Sequence, residues 1–293
     1  MRRSLPFALL TVAALAVTAC APQEEEADAP AASSAPADGS AADECSPEQL
    51  ETLEAGTMTI ATDEPAYPPW VVDDAPESGE GFEAAVAYAV AEQLGYTEDQ
   101  ITWTRVPFNA AIQPGPRPFD FDINQFSITE ERRQAVDFSS PYYTVSQAVI
   151  TTAGSAADGA TGLDDLRGLQ LGAQVSTTSL DVLTDVIAPE SDPVVFNSND
   201  DAKLALQNGQ VDGIVVDLPT AFFITAAELE DGVIVGQLED SGEGGDEFGL
   251  LLEKDSPLTD CVSQAVDALR EDGTLDELEQ EWLADVADAP VLS

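Results

Sequence analysis

The stretch GFEAAVAYAVAEQLG, residues 81–95, sets Phe82, Ala85, Val86, Ala89, Val90 and Leu94 on one helical face and closes on Gly95. Short apolar runs of strand length flank it, 57–61 before and 101–106 after. A strand, a helix and a strand at this spacing imply a parallel sheet with the helix laid across it. The rhythm continues with a short helix over 108–113, ahead of Pro114-Gly115-Pro116, and a third strand over 120–125. It then restarts. Strands over 170–174, 194–196 and 213–217 alternate with helices over 180–187 and 201–208, the second stopped by Gly209. A strand over 233–235 and a Gly-rich acidic stretch over 239–247 follow, and residues 261–282 carry apolar residues at helical spacing, broken at Asp272-Gly273. The expected fold class is α/β, in two lobes, each a mostly parallel sheet flanked by helices.

The 293 residues suit two such lobes, and 44% hydrophobic content supplies their cores. Ten Lys+Arg against 56 Asp+Glu give a formal charge of −46. A surface of that sign repels phosphate backbones, so no nucleic-acid partner is expected. It also suits a protein kept soluble at high ionic strength. Histidine is absent. That removes Ser-His-Asp and Cys-His nucleophiles, the HExxH metal helix and imidazole proton shuttles, and no metal or cofactor is expected.

Arg2 and Arg3 precede an apolar run over 5–17 that is too short to span a bilayer and has the layout of a secretory signal, over 1–19. The run ends in Val17-Thr18-Ala19-Cys20, which resembles the lipobox of bacterial lipoproteins. That resemblance implies a lipid on Cys20 and a membrane anchor outside the cytoplasm; an ordinary signal peptide with a chance cysteine is the alternative. Residues 20–44, rich in Ala, Pro, Ser, Glu and Asp, read as a flexible tether. An exported compartment allows the remaining Cys45 and Cys261 to pair, and a disulfide is expected, with two free buried thiols as the alternative.

Ligands of open α/β sheets bind outside the carboxyl ends of the strands, and here those ends are polar. The first strand runs into Asp63-Glu64 and then Tyr67-Pro68-Pro69-Trp70, and the third ends in Asn124-Gln125 before Ser127-Ile128-Thr129-Glu130-Glu131-Arg132. In the second half, Gln174 leads to Ser176-Thr177-Thr178-Ser179, and the last strand ends at Asp217. Thr129 reads as a helix N-cap, which puts Arg132 in a first turn where the macrodipole disfavours a cation. Helix stability does not explain it; holding a carboxylate does, and so does a surface ion pair. Asp217 ends the apolar run Ile214-Val215-Val216 and needs a cationic or hydrogen-bonding partner, either a ligand ammonium or a group of the protein. An arginine in one lobe and an aspartate in the other describe a receptor for a zwitterion. Tyr67, Trp70 and Phe108 suit the walls of its pocket or plain core.

At these residues the sequence resembles the amino-acid branch of bacterial extracellular solute-binding proteins, family 3, the ligand-capturing subunits of ABC importers. The matching segments include Ala66-Tyr67-Pro68-Pro69-Trp70, Gly81-Phe82-Glu83, Ser127-Ile128-Thr129-Glu130-Glu131-Arg132, Val136-Asp137-Phe138-Ser139 with Pro141-Tyr142-Tyr143, Val211-Asp212-Gly213 and Asp272-Gly273-Thr274. The resemblance implies a periplasmic-binding-protein type II fold: lobe 1 over 45–147, lobe 2 over 148–246, and a return to lobe 1 with a C-terminal helix over 247–293, joined by a two-segment hinge. It implies Arg132 as clamp of the α-carboxylate, Ser127 and Thr177 as its aids, Asp217 for the α-ammonium, and Phe108 and Tyr67 as lining. Glu64 matches the side-chain reader, with neighbouring Asp63 as the alternative. Asn124-Gln125 departs from the family's Ser/Gly pair, which bears on ligand identity. The implied ligand is a polar or basic amino acid, with a zwitterionic compatible solute such as ectoine second; the implied partner is a membrane permease, and the protein is expected to act as a monomer. A dehydratase-like enzyme with Glu64 as general acid is the competing class.

Overall fold

The computed structural model describes residues 45–238, 246–283 and 289–293. The signal segment 1–19, Cys20 with the rest of the tether to 44, and 239–245 of the acidic stretch lie outside the described residues. β1 (Met58–Thr62), α1 (Phe82–Gln93), β2 (Ile101–Arg105), α2 (Phe108–Ala111), β3 (Phe121–Asp122), β4 (Val136–Val145) and β5 (Gln147–Thr152) follow in order. Then come α3 (Leu163–Leu166), β6 (Leu171–Gln174), α4 (Thr178–Val182), β7 (Val194–Phe196), α5 (Asn199–Gln207), β8 (Gly213–Asp217), α6 (Leu218–Phe223) and β9 (Gly232–Leu238). β10 (Asp246–Glu253), α7 (Thr259–Glu271), α8 (Thr274–Trp282) and β11 (Val291–Leu292) complete the chain.

Two sheets result, a five-stranded one in the order β2-β1-β3-β10-β4 and a six-stranded one in the order β11-β9-β5-β8-β6-β7. The expected alternation supplies the parallel pairs β1 with β2 and β3, and β6 with β7 and β8. The strands that leave or enter a lobe, β5 and β10, run antiparallel to their neighbours β8 and β9, and β3 and β4. Side chains alternate between two covered faces: Ile214 and Val216 join one apolar cluster of the second lobe, and Val215 joins the other. β10 does the same in the first lobe, with Phe248, Leu250 and Leu252 on one side and Leu251 on the other.

Several elements differ from the sequence reading. On α1, Glu83, Ala84, Ala87 and Ala91 are buried together with Phe82, Val86 and Val90, so the helix is covered around more of its girth than one stripe. Its start needs Gly81, since a Cβ there would lie 2.5 Å from the Trp70 carbonyl oxygen. The third strand stops at Asp122 because Gln125 turns to a φ of 46° and donates its backbone N–H to Glu83 at 2.7 Å. The helix expected to open at Thr129 is a single 3-10 turn over Arg132–Gln134, with Thr129 Oγ1 accepting from Arg132 N at 3.1 Å. β4, a ten-residue strand, is masked in sequence by Pro141, which the sheet accommodates beside a register shift opposite Gly249.

The tail divides. α7 buries Val262, Ala265, Val266 and Leu269 at helical spacing in the core of the first lobe, and Leu275 of α8 joins them. β11, in contrast to the expected return of 247–293 to lobe 1, pairs in parallel with β9 of the second sheet. Its register is set by Pro290, whose carbonyl accepts from Gln237 N at 2.8 Å, and by Leu292, buried in the second lobe's core. The sulfurs of Cys45 and Cys261 are bonded, with Cα atoms 5.5 Å apart, which ties the segment ahead of β1 to α7.

Candidate functional site

The carboxyl ends of β1, β3, β6 and β8 open onto one cleft between the two sheets, with a cavity volume of ≈ 290 Å³. Arg132 enters it from the first lobe, 9% exposed, with its guanidinium 5.4 Å from the centre of the Phe108 ring. Phe108 is itself stacked on Phe126 at 4.9 Å, which fixes the surface on which the guanidinium lies. Arg132 donates to the Ser127 carbonyl at 2.7 Å and, across the cleft, to the Ser176 carbonyl at 2.9 Å. Among the described residues two of its five N–H groups are thereby used and three remain. Burial lowers its pKa, opposed by Asp181, Asp246, Asp217 and Glu131 around it.

Asp217 faces the cleft from the end of β8, where Pro219 sits in the first turn of α6. Burial pushes its carboxyl up to about 7, against a hydrogen bond from Gln147 and with added repulsion from Asp246. An ammonium held against this carboxyl would offset the burial, since an opposite charge favours the ionised form.

The remaining predicted residues divide by what their side chains touch. Asp63 Oδ1 accepts from Glu64 N at 2.7 Å and Oδ2 from Phe108 N at 3.2 Å, so this carboxylate shapes the loop; burial raises its pKa. Asn124 Nδ2 makes no well-formed hydrogen bond among the described residues, and its amide leans on Asp63, tempering that rise. Glu64 borders the cleft, exposed, and its carboxylate accepts no hydrogen bond among the described residues. Gln125 also borders the cleft, yet its amide is drawn onto Glu83. Thr177 caps α4: its hydroxyl donates to the Gln174 carbonyl at 2.8 Å and accepts from Leu180 N at 3.2 Å. Ser127 Oγ meets Thr178 Oγ1 across the cleft at 3.1 Å. Ser176 contributes its carbonyl, in a left-handed backbone at a φ of 63°. Trp70 is mainly core, packed on Phe82, Tyr143 and Phe248, but its Nε1 reaches over the cleft to Thr220 Oγ1 at 3.0 Å.

Tyr67 leads to what the sequence did not disclose. Its hydroxyl donates to Asp200 of α5, and Lys203 one turn on bridges Asp200 at 2.7 Å and Glu228 at 2.8 Å. Burial and Asp200 raise the Tyr67 pKa. In sequence, Asp200 and Lys203 are an ordinary pair three apart on a helix, indistinguishable from a solvated one. Only the packing of α5 against the mouth of the cleft gives them a role there.

The cleft is thus an acidic cavity with one buried guanidinium, a buried carboxyl on the facing wall and aromatic rings between. The model of bacterial extracellular solute-binding proteins, family 3, matches residues 58–285. The chain is 28% identical over 218 residues to the ABC transporter arginine-binding protein 1 of Escherichia coli strain K12, covering 74% of this chain and 86% of that one. It is 28% identical over 240 residues to the L-cystine-binding protein TcyJ of the same strain, covering 80% and 85%. A solved structure of an ancestral arginine-binding protein bound to arginine superposes with a TM-score of 0.62 at 27% identity, over 78% of this chain and 98% of that one. The matched span starts at β1, ends beyond α8 and takes in every strand end that forms the cleft, and the chain belongs to the bacterial extracellular solute-binding proteins, family 3.

Proposed function

We propose that this chain is the extracytoplasmic substrate-binding subunit of an ABC importer and that it captures an α-amino acid with a polar or basic side chain. The observation that carries the reading is the pair Arg132 and Asp217, which belong to different lobes and line one cleft. Arg132, with three N–H donors left, takes the α-carboxylate as a bidentate pair. Asp217 takes the α-ammonium. Ser127 and the α4 start at Ser176-Thr177 hold the guanidinium in place through the carbonyls it already engages. Phe108, Tyr67 and the edge of Trp70 flank the aliphatic part. Glu64, whose carboxylate is free of the local bonds that occupy Asp63, reads the side chain. The excess of carboxylates at the far end, Glu64, Asp200 and Glu228 against Lys203, favours a cationic side chain. Two of the relatives named above are called arginine-binding, in keeping with that charge balance.

Neither lobe holds both ligand charges, so closure follows from contact: the ligand docks on Arg132, and hinge motion brings Asp217 onto its ammonium. The closed form is the one a permease recognises. A lipid on Cys20 and the tether 20–44 hold the lobes beside the membrane, and the protein works as a monomer. Thermal shift of the purified protein against the standard amino acids and ectoine tests this reading. A ligand at a hundred times its Kd adds about 2.7 kcal/mol, several degrees in Tm. Basic amino acids are expected to give that rise; a rise with ectoine alone would overturn the amino-acid assignment, and product formed from a cyclic carboxylate would point to the dehydratase-like class.

A further inference from the structure

Gln147 is the first residue of β5 and follows directly on Ser146, where the chain crosses from one sheet to the other. It is 0% exposed and does not border the cleft. One amide group there serves three elements. Its Nε2 donates to Asp217 Oδ1 at 2.7 Å and to Asp246 Oδ2 at 3.2 Å, and its Oε1 accepts from Ser179 Oγ at 2.6 Å. Asp217 ends β8 in the second sheet, Asp246 opens β10 in the first, and Ser179 lies in the opening turn of α4, whose loop engages Arg132. Asp246 is also the first described residue after the second crossing. Both crossings and the ammonium seat therefore meet on a single side chain.

We propose that Gln147 is a positioning residue that orients Asp217 toward the ligand's ammonium and couples that carboxylate to both strands of the hinge. The chemistry follows from its two amide protons. Asp217 and Asp246 repel each other in a buried site, and an NH₂ group between them supplies one donor to each. A carboxylate in place of that amide would add a third negative charge and remove both donors. The charges and titrating groups facing Asp217 are Asp246 of β10, Arg132 of the 3-10 turn, Glu83 of α1 and Tyr142 and Tyr143 of β4. Of these, only Arg132 is cationic. Donation by Gln147 is what favours the ionised form of Asp217 from its own lobe.

The inference rests on the assignment of Asp217 to the ammonium, and the test separates the two. Carboxyl ¹³C NMR of the ligand-free chain follows the titration of Asp217 without any ligand. Gln147→Glu, equal in shape, and Gln147→Leu are expected to raise its midpoint by about one pH unit or more, the worth of a lost hydrogen bond to a charged group. Asp246→Asn is expected to lower it. An unmoved midpoint in the Gln147 variants overturns the proposal; should neither fold, an unmoved midpoint in Asp246→Asn overturns the shared-amide arrangement. Calorimetry with L-arginine forms the second arm. Gln147→Leu is expected to weaken binding roughly tenfold or more at pH 6 and only a few-fold at pH 9, where Asp217 is ionised regardless. A loss equal at every pH marks a merely structural role and also overturns the proposal. If Asp217→Asn binds L-arginine as the parent does, or the parent does not bind it, the ligand assignment fails while the NMR arm still decides the place of Gln147.

Discussion

A glutamate on the second residue of α1 sits at 0% exposure, accepting from Gln125 N, the Gln125 side chain and the Tyr142 hydroxyl. Burial outweighs those donors and pushes the Glu83 carboxyl up to about 7 from 4.5. A group whose pKa rises on folding contributes stability that is full below its unfolded value and is lost as pH rises through the folded one. The loss between pH 4.5 and 7 is about 3 kcal/mol at about 1.4 kcal/mol per pH unit. Glu83→Gln, with the Gln125 amide flipped to match, is therefore expected to remove about that much of the fall in unfolding free energy between pH 5 and pH 8, measured by urea denaturation at each pH. An unchanged slope would contradict the assignment. Asp122 adds to the same trend, since burial raises its carboxyl well above the usual range and both its oxygens lack a partner among the described residues. Residues of this kind set the limit of what sequence shows. Arg132 stood out because a cation in a first turn has no local reason, and Asp217 because it ends an apolar run. Gln147, Asp200 and Lys203 carry no such anomaly: an amide at a strand start and an ion pair three residues apart look the same on a surface as at a hinge.

Among the elements, those that alternate with helices were readable from period and turn residues, and those that cross between lobes were not. β4 hides behind Pro141, β5 begins where the chain crosses between lobes, and β10 opens within the Gly-rich acidic stretch over 239–247. The crossings are legible only once two sheets exist for them to join. β11 is the clearest instance. Two residues cannot announce a strand, and their place depends on Gly236, where a Cβ would lie 2.4 Å from the Pro290 carbonyl oxygen and 2.7 Å from Leu292 Cγ. Gly236→Val should push β11 off β9 and expose Leu292, costing about 1–3 kcal/mol by overpacking. Chemical denaturation measures the loss, and hydrogen exchange at Gln237, whose N–H donates to the Pro290 carbonyl just ahead of β11, localises it. Deleting residues 289–293 should make the same substitution nearly silent; an equal loss in both backgrounds would contradict this account of the glycine.

At the scale of the whole molecule, charge and closure set the behaviour. A formal charge of −46 repels itself in any compact state, and salt screens that repulsion over a Debye length of about 10 Å at 0.1 M and about 3 Å at 1 M. Tm is therefore expected to rise by several degrees between those sodium chloride concentrations, read by calorimetric scanning; a flat or falling Tm would show that surface repulsion is not what limits stability. Closure is visible in four contacts across the cleft: Tyr67 with Asp200, Trp70 with Thr220, Ser127 with Thr178, and Arg132 with the Ser176 carbonyl. On the proposed reading, a guest that completes this set offers an anion to Arg132 and a cation to Asp217. Titration calorimetry of L-arginine into the parent chain, Arg132→Ala and Asp217→Asn puts that requirement to the most direct test. Each substitution is expected to weaken binding by about a hundredfold or more, the cost of leaving a buried charge of the pair unmatched. Binding within threefold of the parent in either variant would contradict the account.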